Sequence, residues 1–484
     1  MTRSGWISLV LLAAGLSPAS AYVRNRNSSG SQTRRPDFAG IRFVVNDQTG
    51  PGLTNSTGGV IITADSNPLG ALQAALDVWT NVATSSVVFA ALTPTPLQSS
   101  QSDRENLISF LDTPTNRSVV GDAVAVTRTF TTSNGDIVDT DILFNPTLPF
   151  STTLQTNTFD IQSVAAHEVG HALGSSHSGL LGATMFFAVR RANNLQASLS
   201  SDDLAFATDA YPEPGVAASF GYLGGNVTAG SSPVPGALVT AVDPASSIAL
   251  GSITASDGSF TIGPMPPGRY FVYAEPADGP VEPNQLGAAG VGANTNFTTT
   301  VLGGVASPQG VAVSAGATAT VNFSVETGNP TLNLRQGGAA LAGAAVPFGS
   351  GGFLLPRGAL SDMVLVGDGM DDNALSEASI SFLGAPITIQ LGTFRRGVSS
   401  GNLPFLRFLV QVAANAPLGL ATAVVRSATG VAIYSGGIRI APPAPAFTAA
   451  CVVNAASFLS GARRCPDGRR RPEPSPAGSR RSGR

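Results

Sequence analysis

Lysine is absent from this 484-residue chain; all 27 basic residues are arginine. Cysteine occurs only as Cys451 and Cys465, and histidine occurs three times. Charged residues make up 12% of the sequence and balance to a net −3. Each shortage excludes something. A sparsely charged, near-neutral chain lacks the basic field that nucleic-acid binding requires, so no nucleic-acid partner is expected. With no cysteine before Cys451, most of the chain has neither a disulfide framework nor a thiolate zinc site. Past the N-terminus there is no run of about 18 apolar residues, so no transmembrane segment is expected. The use of arginine alone reads as a GC-rich bacterial coding bias rather than as chemistry.

What is present is concentrated. All three histidines fall in one eleven-residue window, His167-Glu-Val-Gly-His171-Ala-Leu-Gly-Ser-Ser-His177. A helix from Asp160 to about Leu173 puts His167 and His171 on one face, where two imidazoles a turn apart reach a single zinc ion at about 2.0–2.1 Å. Glu168 is rotated roughly a third of a turn from His167, beside the ion rather than on it, and so placed to hold a water. Gly174 tolerates the left-handed dihedrals that stop a helix sharply, and the turn brings His177 back as a third ligand. Three protein ligands leave a fourth position open, which is the catalytic arrangement. A purely structural zinc would recruit a fourth side chain, commonly cysteine, and none is at hand.

These residues resemble the matrixin branch of the metzincin metallopeptidases. Ser163-Val-Ala-Ala-His-Glu-Val-Gly-His-Ala-Leu-Gly-Ser-Ser-His-Ser178 is similar to the matrixin zinc helix almost position for position. Met185, in Gly-Ala-Thr-Met-Phe, resembles the family's Met-turn, whose methionine lies beneath the metal. Leu199 to Leu204 and Ala210-Tyr211 resemble the last helix of the domain, where an aspartate at the Asp202–Asp203 position braces the Met-turn. Plain helix capping, with Ser200 and Asp203 forming a capping box, explains the same aspartates equally well.

Upstream, Phe38–Asn46 alternates as a first strand. Asn67-Pro68 is a helix start, and Leu69, Leu72, Leu76 and Trp79 follow at helical spacing. Trp79 reads as core. Val87–Leu92, Leu107–Leu111, Ala123–Thr127 and Ile142–Phe144 read as further strands. The resemblance implies that substrate polypeptide lies extended along an edge strand; Ala123, Val124 and Ala125 begin the candidate, pairing by strand addition.

The chain departs from the family pattern in four places. No histidine is left for the second, structural zinc of many matrixins. Asp136, Asp139 and Asp141 offer hard oxygens for calcium, or else form a solvated turn leading into a strand. Phe187 stands where other metzincins place a tyrosine ligand, and Met185-Phe186-Phe187 replaces Met-Tyr-Pro. No cysteine precedes the histidine window, so a cysteine switch is excluded. About sixteen residues between the expected leader and the first strand are too few for a folded propeptide.

Arg3, the apolar Trp6–Leu16 and Ala19-Ser20-Ala21 read as a secretory signal cleaved near Ala21, so export is expected. After Pro214, short β-rich runs alternate with Gly, Pro, Ser and Asn turns. Pro235–Val242, Ala255–Ile262 and Pro267–Tyr273 resemble the carboxypeptidase regulatory-like β-sandwich. Ile380–Ile387 and Ala416–Arg426 resemble the immunoglobulin-like IPT/TIG type. Both modules are expected to bind cell wall or substrate, or merely to space the catalytic domain. From Arg463 the tail holds eight arginines against two acids, a net +6; it reads as disordered or a reading-frame artefact, the other reading being a polyanion-binding tail.

The expected architecture is an α+β metzincin-like catalytic domain, a twisted mixed sheet plus three helices, followed by two all-β sandwich domains. Its bounds are a signal at 1–21, an extension at 22–37, the catalytic domain at 38–214, sandwiches at 217–327 and 328–443, and the tail at 444–484. The expected activity is zinc-dependent cleavage of extracellular polypeptides, with Glu168 as general base. The competing expectation is a surface adhesin whose metzincin-like domain is non-catalytic.

Overall fold

Asn67 opens the first helix as the sequence anticipates: its side chain accepts from the Gly70 amide at 3.2 Å, and Pro68 follows at the first helical position. The computed structural model describes residues 24–443 except 400 and 429. The expected signal, both cysteines and the arginine-rich tail lie outside the described residues. Within them, α1 is Pro68–Thr80, α2 Pro114–Val120, α3 Ile161–Ala172 and α4 Ser201–Ala210. Four helices thus stand where three were expected. The unforeseen one is α2, a seven-residue helix capped by the Thr113 side chain, too short to show a hydrophobic period.

The N-terminal sheet has strands β1 Phe43–Asn46, β2 Thr93–Thr95, β3 Asn106–Ser109, β4 Ala125–Thr131 and β5 Ile137–Phe144, in the order β2-β1-β3-β5-β4. All pairs are parallel except β4 with β5, so the sheet is mixed and β4 lies at its edge. Two expected strands shift. Val87–Leu92 contributes only a bridge between Ile41 and Phe89, because part of its backbone bonding goes elsewhere: the Phe89 amide donates to Thr80 Oγ1. The first strand is shorter than Phe38–Asn46, since residues 36–39 form a turn.

The core explains the helix placement. Leu72, Ala75, Leu76 and Trp79 are buried on one face of α1, whereas Leu69 is 48% exposed and does not belong to that face. Trp79 packs edge-on against Phe206 of α4 and donates its indole N–H to the Ala166 carbonyl at 2.9 Å, pinning α1 to α3. The N-terminal extension is laced into the same body. Arg35, fully buried, donates to the Ala172 carbonyl at 3.0 Å and to Asn106 and Thr140, and Arg24 pairs with Asp209 of α4 at 2.8 Å.

Residues 221–324 form two five-stranded sheets, one centred on Gly268–Glu275 and one on Gly221–Ala229. Residues 336–441 form a five-stranded sheet built around Pro404–Val412 and a four-stranded sheet built around Val431–Ala441. These strands do not hang from the N-terminal part on linkers. Residues 24–442 fall in one compact unit, and the connection between His177 and α4 is gripped by the second β-rich segment. Arg190 donates to the carbonyls of Gly337, Gly349, Ser350 and Gly351. Reciprocally, buried Arg439 donates to Leu195 and Ser198 carbonyls at 2.5 and 2.8 Å. A charge withdrawn from water on several carbonyl dipoles makes a contact that is costly to break.

Candidate metal centre

Helix α3 is capped at its start by Asp160, whose carboxylate accepts from the Ser163 amide at 2.8 Å, and at its end by Leu173. Those are the limits that the sequence spacing requires. His167 and His171 meet edge to face on one side of the helix, with their Nε2 atoms 3.1 Å apart. Gly174 then takes φ +94°, and a Cβ there would stand 2.5 Å from the Thr33 carbonyl oxygen. Glycine is therefore demanded twice, by the dihedral and by the close backbone approach. The turn returns His177, and one nitrogen from each of the three rings lies within 4.8 Å of the others. Among the described residues this is the only such group of histidine, cysteine or acid side chains.

The hydrogen bonds around the rings test whether an ion fits. Each Nδ1 faces a backbone carbonyl: His167 that of Thr184 at 2.8 Å, His171 that of Ser175 at 2.8 Å, and His177 that of Gln285 at 2.9 Å. The proton therefore sits on Nδ1, and each Nε2 presents a lone pair. Two such lone pairs 3.1 Å apart repel unless a cation lies between them. A tetrahedral ion at 2.0–2.1 Å from each nitrogen would separate them by roughly 3.3 Å, close to what is seen. Burial pushes all three imidazoles down to about 4, so they are neutral and free to ligate near pH 7. The residues fit one zinc ion.

Glu168 is 5% exposed, and burial raises its carboxyl above the usual range, partly offset by the neighbouring His171 ring and by hydrogen bonds from Thr127. Thr127 of β4 lies with its hydroxyl 2.7 Å from Glu168 Oε2 and 2.9 Å from the Glu168 carbonyl. The edge strand and the acidic side chain are thus fastened together. The Asn145 amide bonds to the Val124 carbonyl, and Ala125 pairs with Phe144. That phase directs the backbone groups of residues 126 and 128 inward to β5, and those of Ala125, Thr127 and Thr129 outward. Of the three edge residues expected from sequence, Ala123 and Val124 precede the strand, and Asn145 occupies both their carbonyls. Of these three only Ala125 faces the open edge; Thr127, the last residue of the candidate strand Ala123–Thr127, adds a hydrogen bond to Glu168 that the sequence reading did not foresee.

Met185 is buried beneath α3; a Cβ on Gly170 would come within 2.2 Å of its sulfur. The two aspartates divide their work. Asp203 accepts from the amides of Thr184 at 2.9 Å and Met185 at 3.0 Å, and also closes the capping box with Ser200. Capping and bracing are therefore one device, and Asp203 alone performs both. Asp202 points elsewhere: it accepts from the Ser178 hydroxyl at 2.7 Å and from the Gly251 amide of strand Ala249–Ile253 at 2.9 Å. Phe187 lies with its ring 6.4 Å from that of His177 and offers no ligand atom.

Asp136, Asp139 and Asp141 do not converge. Asp136 pairs with Arg34 at 3.4 Å, while Asp139 and Asp141 are buried and accept from the amides of Asp103, Arg104, Gln101 and Leu107. The last two hold the loop before β3 and are buried rather than part of a solvated turn.

A mixed sheet, a zinc-type helix and a Met-turn braced by an aspartate define a metzincin-like α/β unit. Residues 62–212 match the family model described as Matrixin, and this part of the chain is a matrixin-type domain. No curated protein sequence matches the chain. Among solved structures, the Bacillus anthracis TIE protein is 11% identical over 46% of this chain, with a TM-score of 0.16. The chain spans 50% of that protein's length. The major pilin subunit BcpA of Bacillus cereus is 10% identical over 46% of this chain and 69% of its own, with a TM-score of 0.15. Fervidolysin of Fervidobacterium pennivorans, a keratinolytic enzyme related to subtilisin, is 14% identical over 47% and 31%, with a TM-score of 0.16.

Proposed function

We propose that the chain is an exported zinc-dependent endopeptidase that cleaves extracellular polypeptides. One observation carries this reading: three imidazoles each bring one nitrogen together while every Nδ1 faces a backbone carbonyl, beside a buried carboxyl that is not part of the ligand set. His167, His171 and His177 would hold the ion. When bound, zinc polarises the scissile carbonyl and lowers the pKa of the attacking water.

The remaining steps belong to the chain's own side chains. Glu168, whose carboxyl burial raises above the usual range, takes the water proton and returns it to the leaving amine. Thr127 steadies the carboxylate during both transfers. Extended substrate pairs with the outward groups of Ala125, Thr127 and Thr129, so backbone rather than any one side chain is recognised. Asp203 keeps Met185 and Thr184 in place beneath the rings. We assign residues 217–327 and 328–443 to two β-sandwich modules, and the apolar leader ending at Ala21 supports export.

The test is hydrolysis of casein or gelatin by the purified chain, with and without a chelator. Activity is expected to vanish with chelator and return with zinc. Glu168→Ala is expected to lose at least about 10²–10⁴-fold in kcat while retaining zinc. Robust hydrolysis by that variant would refute the assigned base. Zinc binding with no hydrolysis by the unaltered chain would favour the surface-binding alternative.

A further inference from the structure

Two of the three histidines are oriented by nearby carbonyls, Thr184 and Ser175, but the third is oriented from a distance of 108 residues. We propose that the metal centre is completed by the downstream β-rich segment, in which the Gln285 main-chain carbonyl is the positioning group for His177. The inference rests on the zinc reading above and makes the β-rich segment part of the metal site rather than a spacer.

The carbonyl is held firmly. Gln285 ends a single turn, Pro283–Gln285, and its own side chain accepts from the Glu282 amide at 2.8 Å, closing the turn on itself. A Cβ on Gly290 would lie 1.8 Å from the Pro283 carbonyl oxygen, so the segment doubles back in backbone contact. Leu286, fully buried, anchors the turn in a core shared with Leu334, Leu365 and Leu375. Gly287, at φ +57°, lets the chain pass beside Ser176, the residue before His177.

His177 needs such a partner. It lies beyond the helix, after a left-handed turn, so the helix fixes neither its ring rotation nor its tautomer. A carbonyl on Nδ1 selects the Nδ1–H form and leaves Nε2 for the ion; without it, either nitrogen can face the other two rings. Losing an orienting partner of this kind lowers metal affinity by about 10–100-fold.

The experiment uses the full chain and Zn²⁺, measured by competition with a chromogenic chelator and by ¹H–¹⁵N spectra of histidine-labelled protein. Only three rings contribute to those spectra, because the sequence has only three histidines. Leu286→Ala is expected to weaken zinc binding about 10–100-fold and to broaden or shift the His177 signals alone. Leu375→Ala, which trims the same core, is expected to change affinity less than about twofold. Unchanged affinity and an unmoved His177 signal in Leu286→Ala would overturn the proposal. So would a His177 ring bound through Nδ1 in the zinc-loaded unaltered chain, a result that decides the matter even if the variant fails to fold. Failure of the zinc reading itself looks different: the unaltered chain would take up no zinc.

Discussion

Replacing Gly174 by alanine should loosen the third ligand while leaving α3 intact. At φ +94° an L-residue is strained by about 1–2 kcal/mol. A Cβ 2.5 Å from the Thr33 carbonyl oxygen meets backbone, which cannot rotate aside. Contacts of this kind add roughly 1–3 kcal/mol. The expected loss is therefore about 2–5 kcal/mol, large against the ordinary stability of a domain. The structure can relieve it by lifting residues 24–35 from the helix end or by opening the turn and carrying His177 away. If about 1.4 kcal/mol falls on the second route, zinc affinity drops about tenfold. Urea unfolding and chelator competition read the two components. Gly174→Asn separates the causes, because asparagine tolerates the left-handed region but keeps the clash, and should recover about 1 kcal/mol. Wild-type stability and wild-type zinc affinity in Gly174→Ala would show that this turn does not deliver His177.

Two further outcomes follow from the same geometry. Asp203→Asn leaves either the Met185 amide or both the Thr184 and Ser200 amides facing an NH₂ group, and should cost about 1–3 kcal/mol by denaturant titration, with weakened zinc binding through the Thr184–His167 contact. Glu275, buried on the Ser435 hydroxyl, is pushed from 4.5 up to about 8 by desolvation. The folded state then binds more protons than the unfolded state between pH of about 4.5 and 8, so stability falls as pH rises through that window. Melting curves from pH 5 to 9 should show the fall. Glu275→Gln should flatten it above pH of about 7, and the remaining slope should lie below that point, since burial raises Asp202 from 3.8 to about 7 in the fold. A variant with the full slope would remove Glu275 from that role.

The metal-site half of the fold was legible because its chemistry is local. The helix limits near Asp160 and Leu173, the four-residue step from His167 to His171 and the left-handed Gly174 all act within a few positions, and each was readable from spacing. The division between Asp202 and Asp203 was not, since capping rules favour an acid at either position and the partners that distinguish them, Ser178 and Gly251 against Thr184 and Met185, are distant in sequence. Short elements such as α2 carry too few residues for a period. Nothing local marks Arg190 and Arg439, whose partners are the carbonyls of loops distant in sequence. Gln285 left no trace at all: its contribution is a backbone carbonyl, which every residue possesses, so nothing in its identity could have marked it.

The most direct test of the account is metal content. Purified full-length chain, dialysed against metal-free buffer and analysed by inductively coupled plasma mass spectrometry after zinc loading, should hold one zinc per chain, and His177→Ala should hold it at least tenfold more weakly. A folded protein that takes up no zinc, or a His177→Ala variant that binds it as tightly as the unaltered chain, would contradict the three-histidine centre.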